Sequence, residues 1–375
     1  MDLILKLIMD TGNILLFYLL PFVVVLGIMI FFHELGHFLV AKFYKVKVLK
    51  FALGFGPKIM GKVVGETEYS IRYVPLGGFV KMLGEDEDED EEEDSLLLSP
   101  DEADRAFNKQ HPLKRIAIVI AGPFFNLVLA LFLFCGLYLI SGNYVMTSEI
   151  GQVRSGSPAD IAGLKKGDLV VSVQGKTVAS WDDMKSLVQD AAGSSIAVEV
   201  VRNGSILHMT VTPEETLIKN EFGEDVKSGL IGIVAAGKFE TIELSPIQAV
   251  KKSFLETWKW IKLTCLVVVK LFQGVVSLKT VGGPIMIGQI TGQLAKESFS
   301  YLIPFMGIIS INLGILNLFP IPVLDGGVII FLLLELLMGK PLSLKKREWA
   351  QKVGFSLLLV LMAIVFYNDI LRLFE

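Results

Sequence analysis

Apolar residues run along the chain in four long stretches, Ile14–Val40, Leu113–Ile140, Ile303–Leu337 and Val353–Tyr367. A helix needs roughly 20 apolar residues to cross a bilayer, so each stretch predicts a membrane span, the fourth drawn out toward Leu371. After the first stretch, Val46–Phe51 and Thr67–Val74 alternate apolar and polar positions and predict two strands, joined through Gly54-Phe55-Gly56-Pro57. Between the second and third stretches the pattern becomes that of a small α+β domain, Glu149–Glu215. Ser157–Gly163 predicts a short helix closed by glycine, Asp168–Val173 a strand, and Trp181–Ala192 an amphipathic helix. Alternation at Ile196, Val198 and Val200, then Asn203-Gly204 and a return through Ile206 to Val211, predicts a type I′ hairpin. Ala249–Leu278, with Trp258 and Trp260, reads as an amphipathic helix at a membrane surface.

Composition agrees with a polytopic membrane protein. Of the 375 residues 52% are hydrophobic, and the mean hydropathy is +0.59, too apolar for a soluble chain. The first stretch is not read as a removable signal peptide, because no small-residue cleavage pattern follows it. Cys135 and Cys265 have neither the spacing nor the setting of a disulfide or a thiolate metal site. The net charge of −4 hides a run of ten acids, Glu85–Asp94, without which the chain is mildly basic; the run reads as a solvated insertion. Lysines and arginines follow the first span, precede the second and separate the third from the fourth. By the positive-inside rule those connections are cytoplasmic, and the domain after the second span is extracytoplasmic.

Against this apolar background, His33-Glu34-Leu35-Gly36-His37 closes the first stretch. On a helix His33 and His37 share a face and Glu34 lies about 100° round it. Two neutral imidazoles bind zinc, and a neighbouring carboxylate can take a proton from water activated by the metal. A chance HExxH on an ordinary helix is the competing reading. It must explain three ionisable groups at a depth where each costs about 2.5–3.5 kcal/mol. A zinc held by two histidines needs a third ligand, and Asp325 stands alone in Asn317-Leu-Phe-Pro-Ile-Pro-Val-Leu-Asp325-Gly-Gly. Pro320, Pro322 and the two glycines cannot sustain a regular helix, and opened backbone at membrane depth is tolerated only inside protein or beside a wet cavity. A kinked packing helix with Asp325 as its cap is the competing reading here. Asn317 has an amide to offer a substrate carbonyl, and Asn312 suits interhelical hydrogen bonding.

Taken with Gly54-Phe55-Gly56-Pro57, Ala121-Gly122-Pro123 with Asn126, and Val281-Gly282-Gly283-Pro284, these segments resemble the site-2 protease family of intramembrane zinc metalloproteases. The stretch from Ser157 to Met184 resembles a PDZ domain of the bacterial protease-associated type. The resemblance implies zinc ligands His33, His37 and Asp325, catalytic base Glu34, and substrate contacts at Asn317. The hairpin, with Gly54, Phe55 and Gly56, would dip toward the site and hold an unwound substrate by β-addition. The resulting expectation is a polytopic α-helical membrane protein with about four transmembrane helices, a membrane-dipping β-hairpin and one inserted extracytoplasmic PDZ domain. Its parts are a first span to residue 42, a hairpin over 43–84, an acidic linker over 85–110 and a second span over 111–140. The PDZ domain follows over 149–215, a strand with surface helices over 216–300, and spans over 301–338 and 351–375.

By the same likeness the chain resides in the bacterial inner membrane, with its active site near the cytoplasmic side. Its partners are the bilayer, single-span membrane proteins and an extended peptide or ectodomain at the PDZ, and no nucleic acid. Anti-sigma factors and remnant signal peptides are the substrate types, cut in regulated intramembrane proteolysis. Two departures stand out: one PDZ domain where well-known bacterial members carry two in tandem, and the acidic run. Ala121-Gly122-Pro123 and Asn126 read as a close-packing kink, with nearness to the metal incidental. A catalytically idle, PDZ-bearing membrane scaffold is the alternative function; metal transport is disfavoured because the ligands suit one tight site rather than a path.

Overall fold

The computed structural model describes residues 15–85 and 104–374. The acidic run past Glu85 and the start of the first stretch at Ile14 lie outside the described residues. Two compact units emerge: Met1–Leu137 with Lys251–Val269 and Ser277–Glu375, and Tyr138–Val250 with Lys270–Val276.

The first unit begins with a π-helical turn, Leu15–Leu19, that leads into α1, Leu20–Phe43. Pro21 sits in the first turn of α1 and has no N–H to donate back into the π-helical turn that precedes it. Strands β1 (Val48–Val64) and β2 (Thr67–Met82) then pair antiparallel. Both are longer than the alternation predicts, and the turn lies at Gly65-Glu66 rather than at Gly54–Pro57. Gly54 and Gly56, with φ of 89° and 82°, instead put irregularities inside β1. The hairpin therefore curls, and Phe51 has Cα partners on both sides, Val80 and Tyr69. Helix α2, Pro112–Ser141, carries Pro123 in its interior.

The second unit is built on a four-stranded sheet. Strand β3 is Asn143–Met146 and β4 is Ile150–Val153. Helix α3, Pro158–Ile161, is capped by Ser157, whose Oγ accepts from the Asp160 N–H. Strands β5 (Leu169–Val173) and β6 (Lys176–Thr177) follow, then α4 (Trp181–Gln189), β7 (Ile196–Arg202) and β8 (Ser205–Val211). The sheet order is β6-β5-β7-β8. Asn203 and Gly204 both have positive φ, as a type I′ turn requires. Asp168 accepts from the Lys165 N–H and from Arg202 Nε and Nη2 at the start of β5. Burial pushes its carboxyl up, but these donors outweigh burial and hold it below the ordinary range.

The predicted limit at Glu215 falls short. Strands β9 (Glu214–Lys219), β10 (Asp225–Leu230), β11 (Ile233–Ala235) and β12 (Phe239–Ile242) complete the unit. β11 pairs with β4 and β12 with β3. Ile231 shares the core with Ile150, Val170, Val198 and Val211, so the segment after Pro213 is needed to cover that face.

The chain continues in α5 (Pro246–Phe272), α6 (Pro284–Glu297), α7 (Phe299–Asn317), α8 (Asp325–Met338) and α9 (Leu344–Arg372). Asn312 on α7 accepts from Thr264 Oγ1 on α5, the expected interhelical bond. The third apolar stretch is two helices rather than one span. Leu318–Leu324, with Pro320 and Pro322, breaks it, and only α7 is long enough to cross. The last span starts earlier than predicted, at Leu344, because its polar first turns are helical too. Four helices among the described residues have the length and composition to cross a membrane, which makes this a polytopic helical membrane protein.

Candidate metal centre

Near the middle of α1 the helix is apolar on every side, as expected of a span, and His33 and His37 interrupt it four residues apart. Their Nε2 atoms lie 3.3 Å from each other. Asp325 Oδ2 is 3.1 Å from His33 Nε2, and Asp325 Oδ1 is 3.7 Å from His37 Nε2. These three side chains form the group of possible metal donors among the described residues. Tetrahedral zinc with ligand bonds of 2.0–2.2 Å sets its donors about 3.3–3.6 Å apart. The nearest-atom distances of 3.1, 3.3 and 3.7 Å bracket that spacing, the two Asp325 contacts being made by different carboxylate oxygens, and one donor atom from each residue lies within 4.8 Å of the others.

Two further observations test the fit. Asp325 Oδ2 is buried with no hydrogen-bond donor, an arrangement that a cation would relieve. Gly122 of α2 lies where a Cβ would come within 2.2 Å of His37 Nε2 and 3.0 Å of His33 Cε1. Only glycine leaves that space beside the imidazoles open. Two imidazoles and one carboxylate are also the donor set of an open zinc site, which keeps a fourth position for water or substrate.

Local sequence explains how the three donors meet. Gly36 lets α1 and α2 approach, since a Cβ there would be 2.2 Å from the Ala121 carbonyl oxygen. Pro123 has no N–H for the Val119 carbonyl, and the adjacent Ile118 carbonyl lies 2.9 Å from His37 Nδ1. Asn126 Nδ2 is 3.2 Å from His33 Nδ1. Asp325 opens α8, where the positive end of the helix favours an anion, but the N-cap position belongs to Leu324. Gly326 and Gly327 let the Leu318–Leu324 loop fold onto that first turn: a Cβ on either would meet the Leu318 or Ile321 carbonyl oxygen within 2.3 Å.

Glu34 stays off the donor triangle but within electrostatic reach of His37, His33 and Asp325. Gly78 lets β2 approach Glu34, because a Cβ there would lie 3.2 Å from Glu34 Cγ and 2.9 Å from the Ala52 carbonyl oxygen. The hairpin therefore passes directly against the acid. Asn317, at the end of α7, brings Nδ2 to 3.4 Å from His33 Nε2. Gly54 lines a cavity of about 490 Å³ with Phe31, Phe32 and Gly27 of α1. Phe55 instead stacks on Phe79, and the Gly56 carbonyl accepts from Arg72 Nη1; neither lines that cavity.

Sequence reasoning passed over Gly122 and Asn126 as metal neighbours. The signal was present: Ile118, Gly122 and Asn126 recur every four residues and so form one stripe of α2. It also passed over Arg115, which donates Nη1 to both carboxylate oxygens of Glu335 at 2.9 and 3.1 Å. Glu335 is thus half of a largely buried ion pair between α2 and α8.

The model of peptidase family M50 matches residues 21–361. "Putative zinc metalloprotease Atu1380" of Agrobacterium fabrum is 34% identical over 359 residues, covering 94% of this chain and 95% of its own. "Putative zinc metalloprotease CA_C1796" of Clostridium acetobutylicum is 36% identical over 344 residues, with 92% and 94% covered. "Zinc metalloprotease RasP" of Geobacillus kaustophilus is 31% identical over 423 aligned positions, with 95% and 98% covered.

Proposed function

The chain belongs to peptidase family M50 and is a zinc-dependent metalloendopeptidase, and we propose that it cuts single-span membrane proteins within their transmembrane segment. The observation that carries this reading is the His33–His37–Asp325 donor triangle set among apolar helices. An enzyme that places hydrolytic groups at such a depth acts on a bond that soluble peptidases cannot reach.

In this reading His33, His37 and Asp325 hold the zinc. When bound, the metal supplies Lewis acidity, lowering the pKa of water toward 7 and polarising a carbonyl. Glu34 takes the proton from the attacking water and passes it to the departing amine, a task suited to a carboxylate beside the donors but not among them. Asn317 Nδ2 donates to the substrate carbonyl oxygen as negative charge develops there. A helical substrate shields its own peptide bonds and must unwind first. The dipping hairpin, through Gly54, Phe55 and Gly56, holds the unwound stretch by β-addition. The passage of β2 against Glu34 supports that assignment, and Gly54 has the more direct support of the two ends of the segment.

The second unit functions as an extracytoplasmic PDZ domain, with the active site toward the cytoplasmic side of the bacterial inner membrane. A groove of about 170 Å³ between α4 and Gly229–Ile233 supports capture of an extended peptide or ectodomain. Substrates are anti-sigma factors or remnant signal peptides, cut in regulated intramembrane proteolysis. The grouping of His33, His37 and Asp325 with Glu34 beside them supports an active enzyme over an idle scaffold. The test is cleavage of a tagged single-span peptide in proteoliposomes, mapped by mass spectrometry. Chelator-sensitive cuts inside the span support the reading; cuts only in flanking loops contradict it.

A further inference from the structure

Both imidazoles present Nε2 to the same point, so each must carry its proton on Nδ1 if Nε2 is to offer a lone pair to a metal. For His37 the arrangement is settled by its partner, since the Ile118 carbonyl can only accept. For His33 the group at Nδ1 is the side-chain amide of Asn126, which can either donate or accept. Asn126 is fully buried. As placed, Nδ2 faces the ring while Oδ1 is buried with nothing donating to it. A half-turn of the amide exchanges the two at no cost in volume, and takes Oδ1 from a position without a donor to one beside Nδ1–H. The backbone of the same residue is fixed independently, because the Asn126 carbonyl accepts from Ser310 Oγ on α7 at 2.8 Å.

We propose that Asn126 is a positioning residue for His33: its side-chain oxygen accepts the Nδ1–H, fixing the ring and its tautomer with the Nε2 lone pair turned to the metal. The inference rests on the zinc reading above. It makes α2 the support for both histidines, with Ile118 and Asn126 holding the rings from behind and Gly122 leaving room between them. Groups that orient ligating histidines in this way typically affect metal affinity by 10- to 100-fold.

Zinc affinity of the full-length protein, measured by chelator competition, separates the possibilities. Asn126→Leu removes the acceptor at similar volume and is expected to weaken zinc about 10- to 100-fold. Asn126→Asp keeps an acceptor and removes the donor, so its affinity is expected to stay within a few-fold of the parent. Equal losses in the two variants, or no loss in Asn126→Leu, would overturn the proposal. Should Asn126→Leu fail to fold, the parent protein loaded with cobalt still decides. Two paramagnetically shifted imidazole N–H protons shielded from solvent exchange are expected, one for each histidine; one shielded proton would overturn it. If the parent itself takes up no metal, the zinc reading fails rather than the role of Asn126.

Discussion

Gly122 faces His37 so closely that a Cβ on the glycine would lie 2.2 Å from the ring's Nε2. Gly122→Ala is therefore expected to displace the imidazole and weaken zinc at least tenfold, in the range seen when a ligand loses its orientation. Gly136, on the same helix, has open space around it. Gly136→Ala should leave zinc affinity unchanged and favour the helix by up to ~1 kcal/mol. Chelator competition on both variants checks the contrast.

Glu34 lies beside the donors without joining them. Glu34→Gln is expected to keep its zinc and lose about 10²- to 10⁴-fold in cleavage rate, the range of general acid–base catalysis. Metal analysis and a proteoliposome cleavage assay on the same preparation test this. Loss of zinc with loss of activity would assign Glu34 to the ligands instead.

At the hairpin turn, Arg105 Nη2 and Lys42 Nζ both donate to Glu66 Oε1 at 2.7 Å. The Arg105 hydrogen bond foremost, with Lys42, holds the Glu66 carboxyl at about 2, below its ordinary 4.5. A depressed folded-state pKa contributes stability that is present above pH 4.5 and lost as pH falls toward 2. Because the partners are partly exposed, screening limits the contribution to about 1 kcal/mol. Glu66→Gln should thus speed amide exchange in β1 and β2 at pH 7, and parent and variant should converge near pH 2.

The Arg115–Glu335 pair ties α2 to α8 with both side chains largely out of solvent. Removing one charge leaves the other buried, so Glu335→Leu is expected to destabilise by about 3–5 kcal/mol. Replacing both, with Arg115→Met and Glu335→Leu, should recover most of that loss. Thermal melting of the single and double variants in one detergent measures the difference.

The HExxH was legible because four-residue spacing puts both imidazoles on one face whatever the tertiary structure. Asp325 was legible because a lone acid between proline and glycine pairs has no place in a regular apolar helix. The stripe of Ile118, Gly122 and Asn126 was harder to read. Its meaning depends on which helix lies opposite, and a backbone carbonyl that orients a ligand leaves no trace in residue type. The hairpin turn was misplaced for a local reason: two positive-φ glycines can kink a strand as readily as reverse it. The reach of the second unit to Ile242 was hidden by distance along the chain, because β11 and β12 pair with strands that precede the rest of the unit.

If His33, His37 and Asp325 grip one ion, zinc content per chain before and after Asp325→Ala reveals it. About one zinc per chain is expected in the parent and loss of most of it in the variant, since two imidazoles alone do not complete a tight site. A variant that retains the parent's full zinc content, at the same affinity, would contradict it.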